Sequence, residues 1–161
     1  SSLAEFLAVK PQGVLLSEGP GDPKEYEGIL DVVKALAQVK PVLGLSLGHQ
    51  LLALAFGGET KKLPYGHRGG NHPVKDLITN KVYITSQNHG YVVDEKTINE
   101  KEIIITHKNI NDGTIEGIQH KYLPIFSVQY HPEASPGPME SKYLFQQFIY
   151  NVEKQQKEKA V

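Results

Sequence analysis

The stretch from Pro41 to Gly58 constrains the fold more than any other. Val42-Leu43-Gly44-Leu45 is a short apolar run opened by Pro41 and reads as a buried strand. Leu51-Leu52-Ala53-Leu54-Ala55-Phe56 has apolar residues at helical spacing and stops at Gly57-Gly58. Between them sits Gly44-Leu45-Ser46-Leu47-Gly48. A strand that turns at once into a helix leaves its turn residue at the sheet edge, beside the free N–H groups of the helix start. Small flanking residues are what so tight a turn requires. Taken alone, the pattern fits a nucleophile elbow and any strand–helix turn with a polar residue equally well.

The rest of the chain supplies the context. Gly13-Val14-Leu15-Leu16-Ser17 is an apolar run of the kind buried on both faces of a parallel sheet. It leads into Glu18-Gly19-Pro20-Gly21-Asp22-Pro23, where prolines fix the loop and glycines let backbone N–H groups approach a ligand; a plain turn after a strand fits the same residues. Ile29, Val32, Val33, Leu36 and Ala37 mark an amphipathic helix. The order strand, helix, strand, helix predicts an α/β fold with parallel strands. Ligands in such sheets bind beyond the carboxyl ends of the strands, so the Gly19–Asp22 loop and Ser46 are expected to face one pocket. Leu3, Phe6 and Leu7 sit at helical spacing and read as the end of a helix, so the chain is expected to start partway into its fold.

From Lys61 the pattern changes to the polar, glycine-rich Gly66-His67-Arg68-Gly69-Gly70-Asn71-His72-Pro73. No acidic or thiol partner stands at ligand spacing from His67 and His72. Hydrogen-bonded or solvent-facing loop histidines are therefore expected, and no metal. Strands are expected over 81–86, 102–107, 114–120 and 124–130, with Asn111-Asp112-Gly113 turning a hairpin between the middle two. A helix is expected from about Met139, its core stripe formed by Tyr143, Leu144, Phe148 and Val152, with 153–159 as its polar end. Two polar clusters follow strands: Gln87-Asn88-His89-Gly90-Tyr91 and Gln129-Tyr130-His131-Pro132-Glu133. Alternate residues of extended chain share a face, so His131 and Glu133 can act as a base and its orienting group, given a nucleophile upstream at Ser46.

Composition narrows the function classes. The 161 residues are 39% hydrophobic, which suits one domain over 1–161 with a real core. A net charge of −1 makes no electrostatic case for nucleic acid or an anionic membrane. No run is long enough to span a bilayer and no signal peptide is evident. Cysteine is absent, which excludes disulfides, thiolate metal sites and a thiol nucleophile, and fits a cytoplasmic protein.

Four ordered motifs together resemble the class I glutamine amidotransferase domains: Ser17-Glu18-Gly19-Pro20-Gly21-Asp22-Pro23, Gly44-Leu45-Ser46-Leu47-Gly48-His49-Gln50, Ser86-Gln87-Asn88-His89-Gly90 and His131-Pro132-Glu133-Ala134-Ser135-Pro136-Gly137-Pro138. More narrowly, Gly66 to Val74 and the Ser135–Pro138 ending are similar to the carbamoyl-phosphate synthetase small-subunit family. The resemblance covers nearly the whole chain. It implies a flavodoxin-like α/β fold: an open, mostly parallel central sheet flanked by helices, with an antiparallel strand extension.

The resemblance also implies a chemistry. In that family an elbow cysteine attacks the side-chain amide of glutamine, ammonia leaves, and water hydrolyses the thioester to glutamate. Here Ser46 stands at the nucleophile position, His131 at that of the base and acid, and Glu133 at that of its orienting partner. Backbone N–H groups of Leu47 and Gly19 would hold the oxyanion. Gly19, Gly21, Leu47, Gln50, Asn88, Gly90 and Tyr91 would grip L-glutamine. Ammonia would pass to a large synthetase subunit, and the ATP, bicarbonate and Mg2+ belong to that partner, leaving no cofactor in this domain.

Two departures from the family carry expectations. A free thiol has a pKa of about 8.5 and is readily pushed to thiolate, whereas a hydroxyl depends on a well-placed general base. Ser46 is therefore expected to impair turnover while keeping glutamine binding, and to be an introduced substitution rather than a natural variant. The family also has a first strand and helix before Leu3. Its small-subunit members have, before those, an N-terminal domain that supplies one serine contact to glutamine. Without them an interior sheet edge is expected to be left unpaired, as in a fragment. Two competing readings use the same residues. One is a glutamine-binding or structural subunit without turnover. The other is a serine hydrolase whose Gly-x-Ser-x-Gly elbow would take Asp94 or Asp112 as its acid.

Overall fold

The computed structural model describes residues 7–9, 13–16, 28–130 and 138–159. Gly19, Gly21, His131 and Glu133 lie outside the described residues. Eight strands form one sheet: β1 (Leu7–Val9), β2 (Val14–Leu16), β3 (Val42–Leu45), β4 (Thr60–Asp76), β5 (Val82–Val93), β6 (Ile103–Asn109), β7 (Ile115–His120) and β8 (Ile125–Val128). The helices are α1 (Leu30–Val39), α2 (Leu47–Ala55) and α3 (Pro138–Lys159). The strand order is β1-β2-β3-β8-β7-β6-β4-β5. Strands β2, β3 and β8 run parallel at the centre. Strands β7, β6, β4 and β5 extend the sheet antiparallel on one side.

Alternation along the three parallel strands explains the layers. Val14, Leu16, Val42 and Ile125 point to one face and pack with Val33 and Ala37 of α1 and Leu52 and Ala55 of α2. Leu43, Leu45 and Val128 point to the other face and pack with Leu144 of α3 and Tyr130. Neighbouring residues in a strand face opposite ways. A run such as Val42-Leu43-Gly44-Leu45 must therefore be apolar throughout when helices cover both faces. Helix α1 buries Val33 and Ala37 as its spacing predicts, although Val32 is 41% exposed. In α3, Leu144 is buried, and Phe148 and Val152 lie against Gly13, where an added Cβ would sit 2.9 and 3.0 Å from them. The side chain of Tyr143 lies outside the described part.

Four sequence expectations need correction. Leu7 belongs to a strand, not a helix end; residues 3 and 6 lie outside the described part. That strand, β1, pairs antiparallel with β2 through Leu7↔Leu16 and Val9↔Val14. The sheet edge expected to be bare is thus occupied, because a row of unpaired N–H and C=O groups recruits the extended segment nearest to it in sequence. The polar, glycine-rich stretch after Lys61 is the long strand β4, not a loop. Its register slips between Lys62 and His67 and between Gly69 and His72, where Gly66 and Gly69 take φ values of 70° and 103°. Bulges absorb the glycines that obscure the strand in sequence. Finally, Gln87 to Tyr91 does not follow a strand but lies inside β5, held by antiparallel pairing to β4 across Asn88↔Arg68 and His89↔His67. The Asn111-Asp112-Gly113 turn forms as expected, with Gly113 at φ 73°.

Candidate functional site

Ser46 stands alone between β3 and α2 with φ 54° and ψ −113°. A non-glycine residue at positive φ is strained, at about 1–3 kcal/mol, and persists only where its surroundings enforce it. Here they do. The Ser46 N–H donates to the Val128 carbonyl at 3.0 Å, and the Gln50 N–H donates to the Ser46 carbonyl at 3.3 Å. A Cβ on Gly44 would lie 2.9 Å from the Gly48 carbonyl oxygen. One on Gly48 would lie 2.6 Å from the Leu16 carbonyl carbon and 2.7 Å from its Cβ. The two glycines are thus what lets the elbow close against the end of β2. Ser46 itself is half-buried, and Leu47 begins a helix whose first N–H groups have no intrahelical acceptor.

The helix behind the elbow is anchored by polar groups inside the core. His49 is fully buried, and its Nδ1 meets the Ser127 hydroxyl at 2.7 Å. Burial lowers its pKa from 6.5 to about 3, with smaller contributions from His89 and His107, so it is a neutral structural imidazole. Gln50 donates through Nε2 to the Tyr91 carbonyl at 2.8 Å and to Gln129 Oε1 at 2.7 Å. The structure therefore joins Gln50 of the elbow helix to Tyr91 of β5. Gly90 is half-buried beside Tyr91, and Asn88 is exposed on the same strand. Strand β8 also reaches the elbow: Leu45 pairs with Val128, three residues before His131.

Next to this edge lies a buried polar cluster that sequence reasoning missed. His67 Nε2 meets Asp112 Oδ2 at 2.6 Å, and His67 Nδ1 lies 3.8 Å from Glu116 Oε2. Glu116 is fully buried and accepts from Gln87 Nε2 at 2.9 Å and Asn109 Nδ2 at 3.1 Å. Burial pushes its pKa up to about 7 against the lowering effect of those two bonds. His89 meets the Tyr91 carbonyl at 2.8 Å and Gln87 Oε1 at 2.6 Å; burial lowers its pKa to about 4 although the Tyr91 carbonyl favours the charged form. Burial raises the Asp112 carboxyl, but bonds from Thr114 and His67 outweigh it and hold the pKa below the usual value. His72, half-buried, bonds the Arg68 carbonyl at 2.8 Å. The sequence signal for Glu116 is faint: an acid between Ile115 and Gly117 in a strand where five of six residues are buried. The acidic partners that His67 lacks at short spacing come from the far hairpin.

The serine-hydrolase reading fares poorly on this geometry. Asp112 is engaged by His67 and Thr114, and Asp94 caps the 3-10 turn Glu95–Thr97 by accepting from the Lys96 N–H at 3.1 Å. Among the described residues, no helix is long and apolar enough to cross a membrane.

Comparison with known proteins agrees with this geometry. The family model described as glutamine amidotransferase class-I matches residues 1–151. The carbamoyl phosphate synthase small chain of Caldanaerobacter subterraneus subsp. tengcongensis is 54% identical over 149 residues, which is 92% of this chain and 42% of that protein. The arginine-specific and pyrimidine-specific small chains of Bacillus subtilis are 56% and 53% identical, over 89% and 96% of this chain and 41% and 42% of theirs. The chain thus spans about two fifths of the length of these relatives. Among solved structures, a GMP synthase-like protein from Thermoplasma acidophilum superposes with a TM-score of 0.79 at 20% identity, covering 93% of this chain and 77% of the other. A glutamine amidotransferase from Thermotoga maritima gives 0.59 at 19% identity, over 91% and 64%. These two bear on the fold alone, and they agree with the flavodoxin-like sheet.

Proposed function

The chain belongs to the class-I glutamine amidotransferase family, and from that premise we propose that it is the glutamine-binding and glutamine-hydrolysing part of a carbamoyl phosphate synthase small chain, impaired in turnover by Ser46. The observation that carries the reading is the elbow: a strained residue at the carboxyl end of β3, wedged against β2 and β8, with α2 beginning at the next residue. In this reading L-glutamine lies over Ser46, its amide carbonyl turned toward the N–H groups of Leu47 and Gly19. Gln50 holds Tyr91 in place, and Asn88, Gly90, Tyr91 and Gly21 complete the grip. His131, oriented by Glu133, takes the Ser46 hydroxyl proton as Oγ attacks the amide carbon and returns it to the departing ammonia. Water then cleaves the ester to glutamate. The ammonia goes to a large synthetase subunit that supplies ATP, Mg2+ and bicarbonate, and this domain needs no cofactor of its own.

The weak step is the attack. A serine hydroxyl has no accessible anion at neutral pH, so it depends wholly on the imidazole that removes its proton. Ser46→Cys is expected to raise glutaminase activity at least about tenfold, equivalent to about 1.4 kcal/mol off the barrier. Calorimetry on the serine form is expected to show glutamine binding without continuing heat from hydrolysis. A serine form already turning over at about 10 per second, an ordinary enzyme rate, would refute the impairment. Absence of both binding and activity in the cysteine form would refute the site.

A further inference from the structure

We propose that His67, His89 and Glu116 form a binding site for a divalent first-row transition ion, of the Zn2+ class, distinct from the elbow. One donor atom from each of the three residues lies within 4.8 Å of the others, and all three residues are buried. They come from three strands, β4, β5 and β7, so the juxtaposition is a product of the sheet and not of local sequence.

Three observations point to a cation. First, the cluster contains orphaned donor atoms. Glu116 Oε1 and His67 Nδ1 are both buried and have no hydrogen-bond partner among the described residues. An unpartnered carboxylate oxygen in the interior is costly, and two such atoms side by side call for something between them. Second, His89 is mismatched as an imidazole. Both of its nitrogens face carbonyl oxygens, Tyr91 O at 2.8 Å and Gln87 Oε1 at 2.6 Å. A neutral ring has one N–H and can serve only one of them. The Gln87 amide cannot simply turn over, because its Nε2 already donates to Glu116 Oε2 and Thr85 Oγ1. One lone pair of His89 is therefore left facing an acceptor, and a metal ion is what such a lone pair takes. Third, the outer groups are arranged as metal sites arrange them. His67 turns its other nitrogen to a carboxylate, Asp112, at 2.6 Å. That contact fixes the tautomer and makes the ring a better donor. Glu116 is steadied by Gln87 and Asn109.

Two imidazoles and a carboxylate are borderline ligands that suit Zn2+ or Fe2+ rather than Ca2+ or Mg2+. Three protein donors leave one tetrahedral position for a small ligand. The ion would also balance the two carboxylates, Glu116 and Asp112, that the fold brings to one place. Seated there, it would tie β4, β5 and β7 together one hydrogen bond from the elbow helix, because the Tyr91 carbonyl that meets His89 also accepts from Gln50.

The test uses the whole chain, stripped of metal with chelator, then dialysed against Zn2+ and separately against Co2+, with no glutamine present. The expected result is one ion per chain, a higher unfolding temperature in Zn2+, and visible d–d absorption of the Co2+ form. Glu116→Gln should lose the bound ion. Asp112→Asn should weaken binding about 10- to 100-fold, because it removes only the outer partner of His67. The Asp112 side chain is 41% exposed, so this second variant carries the test if Glu116→Gln does not fold. Failure of the wild type to take up an equivalent of Zn2+ would overturn the proposal, as it would if Glu116 simply kept a proton or a water filled the gap. Equal binding by wild type and Asp112→Asn would overturn it too, by placing the ion elsewhere. Metal uptake is read without substrate, so its outcome is separate from that of the glutaminase assay.

Discussion

Gly48→Ala tests whether the elbow is closed by steric contact. The added methyl would sit 2.6 Å from the Leu16 carbonyl carbon and 2.7 Å from the Leu16 Cβ, and closer still to the Leu16 carbonyl oxygen. Carbon atoms prefer about 3.5 Å or more, so the overlap is roughly 1 Å against backbone. Neither side can yield cheaply. Leu16 is fixed by pairing with Gly44, and α2 is buried around its circumference, with His49 and Leu51 at 0% and Leu52 at 1% exposure. Overpacking of this kind costs about 3 kcal/mol. Alanine regains up to about 1 kcal/mol over glycine in a helix. The net loss should be about 2 kcal/mol, which for a chain of this size lowers the unfolding midpoint by about 4–8 °C. Urea and thermal unfolding measure it, with Gly28→Ala as the comparison. Gly28 has nothing within 4 Å of the new Cβ, and its change should stay within about 0.5 kcal/mol. Equal stability of the two variants would show that the glycine at 48 answers to something other than contact with β2.

Two further outcomes follow from the same site. Ser46 holds φ 54°, so Ser46→Gly should be more stable than Ser46→Ala by about 1 kcal/mol, because only glycine relieves the strain; equilibrium unfolding that ranks them the other way would show that the elbow is not strained. His49 titrates near 3 when folded and near 6.5 when unfolded. Below about pH 6.5 the unfolded chain takes up a proton that the folded chain refuses, so stability is full above that pH and falls as pH drops toward 3. The contribution approaches one proton, a slope of about 1.4 kcal/mol per pH unit. His49→Gln should flatten the fall measured by urea unfolding between pH 6 and about 4, and an unchanged slope would place the proton uptake elsewhere.

The elements that the sequence shows most clearly are those whose pattern is local. The apolar runs at 14–16 and 42–45, the helix of 30–39 and the turn at Asn111-Asp112-Gly113 are legible because burial on both faces, burial on one face and positive φ each leave a distinct residue signature. Strand β4 is hidden because its glycines serve bulges within a ladder, and nothing in a single sequence tells such a glycine from a loop glycine. Leu7 is ambiguous for a similar reason: three residues are too few to separate strand from helix spacing, and the unpaired side of β2 decides the matter.

The site divides along the same line. The sequence by itself determined the elbow, because Gly-x-Ser-x-Gly between a buried strand and a buried helix leaves little choice of backbone, and Ser46 adopts the strained angles that such a turn demands. It also supplied Gln50 and Tyr91 as candidate ligand contacts. Only the tertiary structure decided that these two are bonded to each other, that His49 is a core imidazole held by Ser127, and that His67, His89, Asp112 and Glu116 share one buried pocket. The physical reason is separation along the chain. A helix or turn is fixed by neighbours a few residues away, but a polar cluster in the interior is assembled by strand pairing across tens of residues, and its partners become known only once the register of the sheet is set.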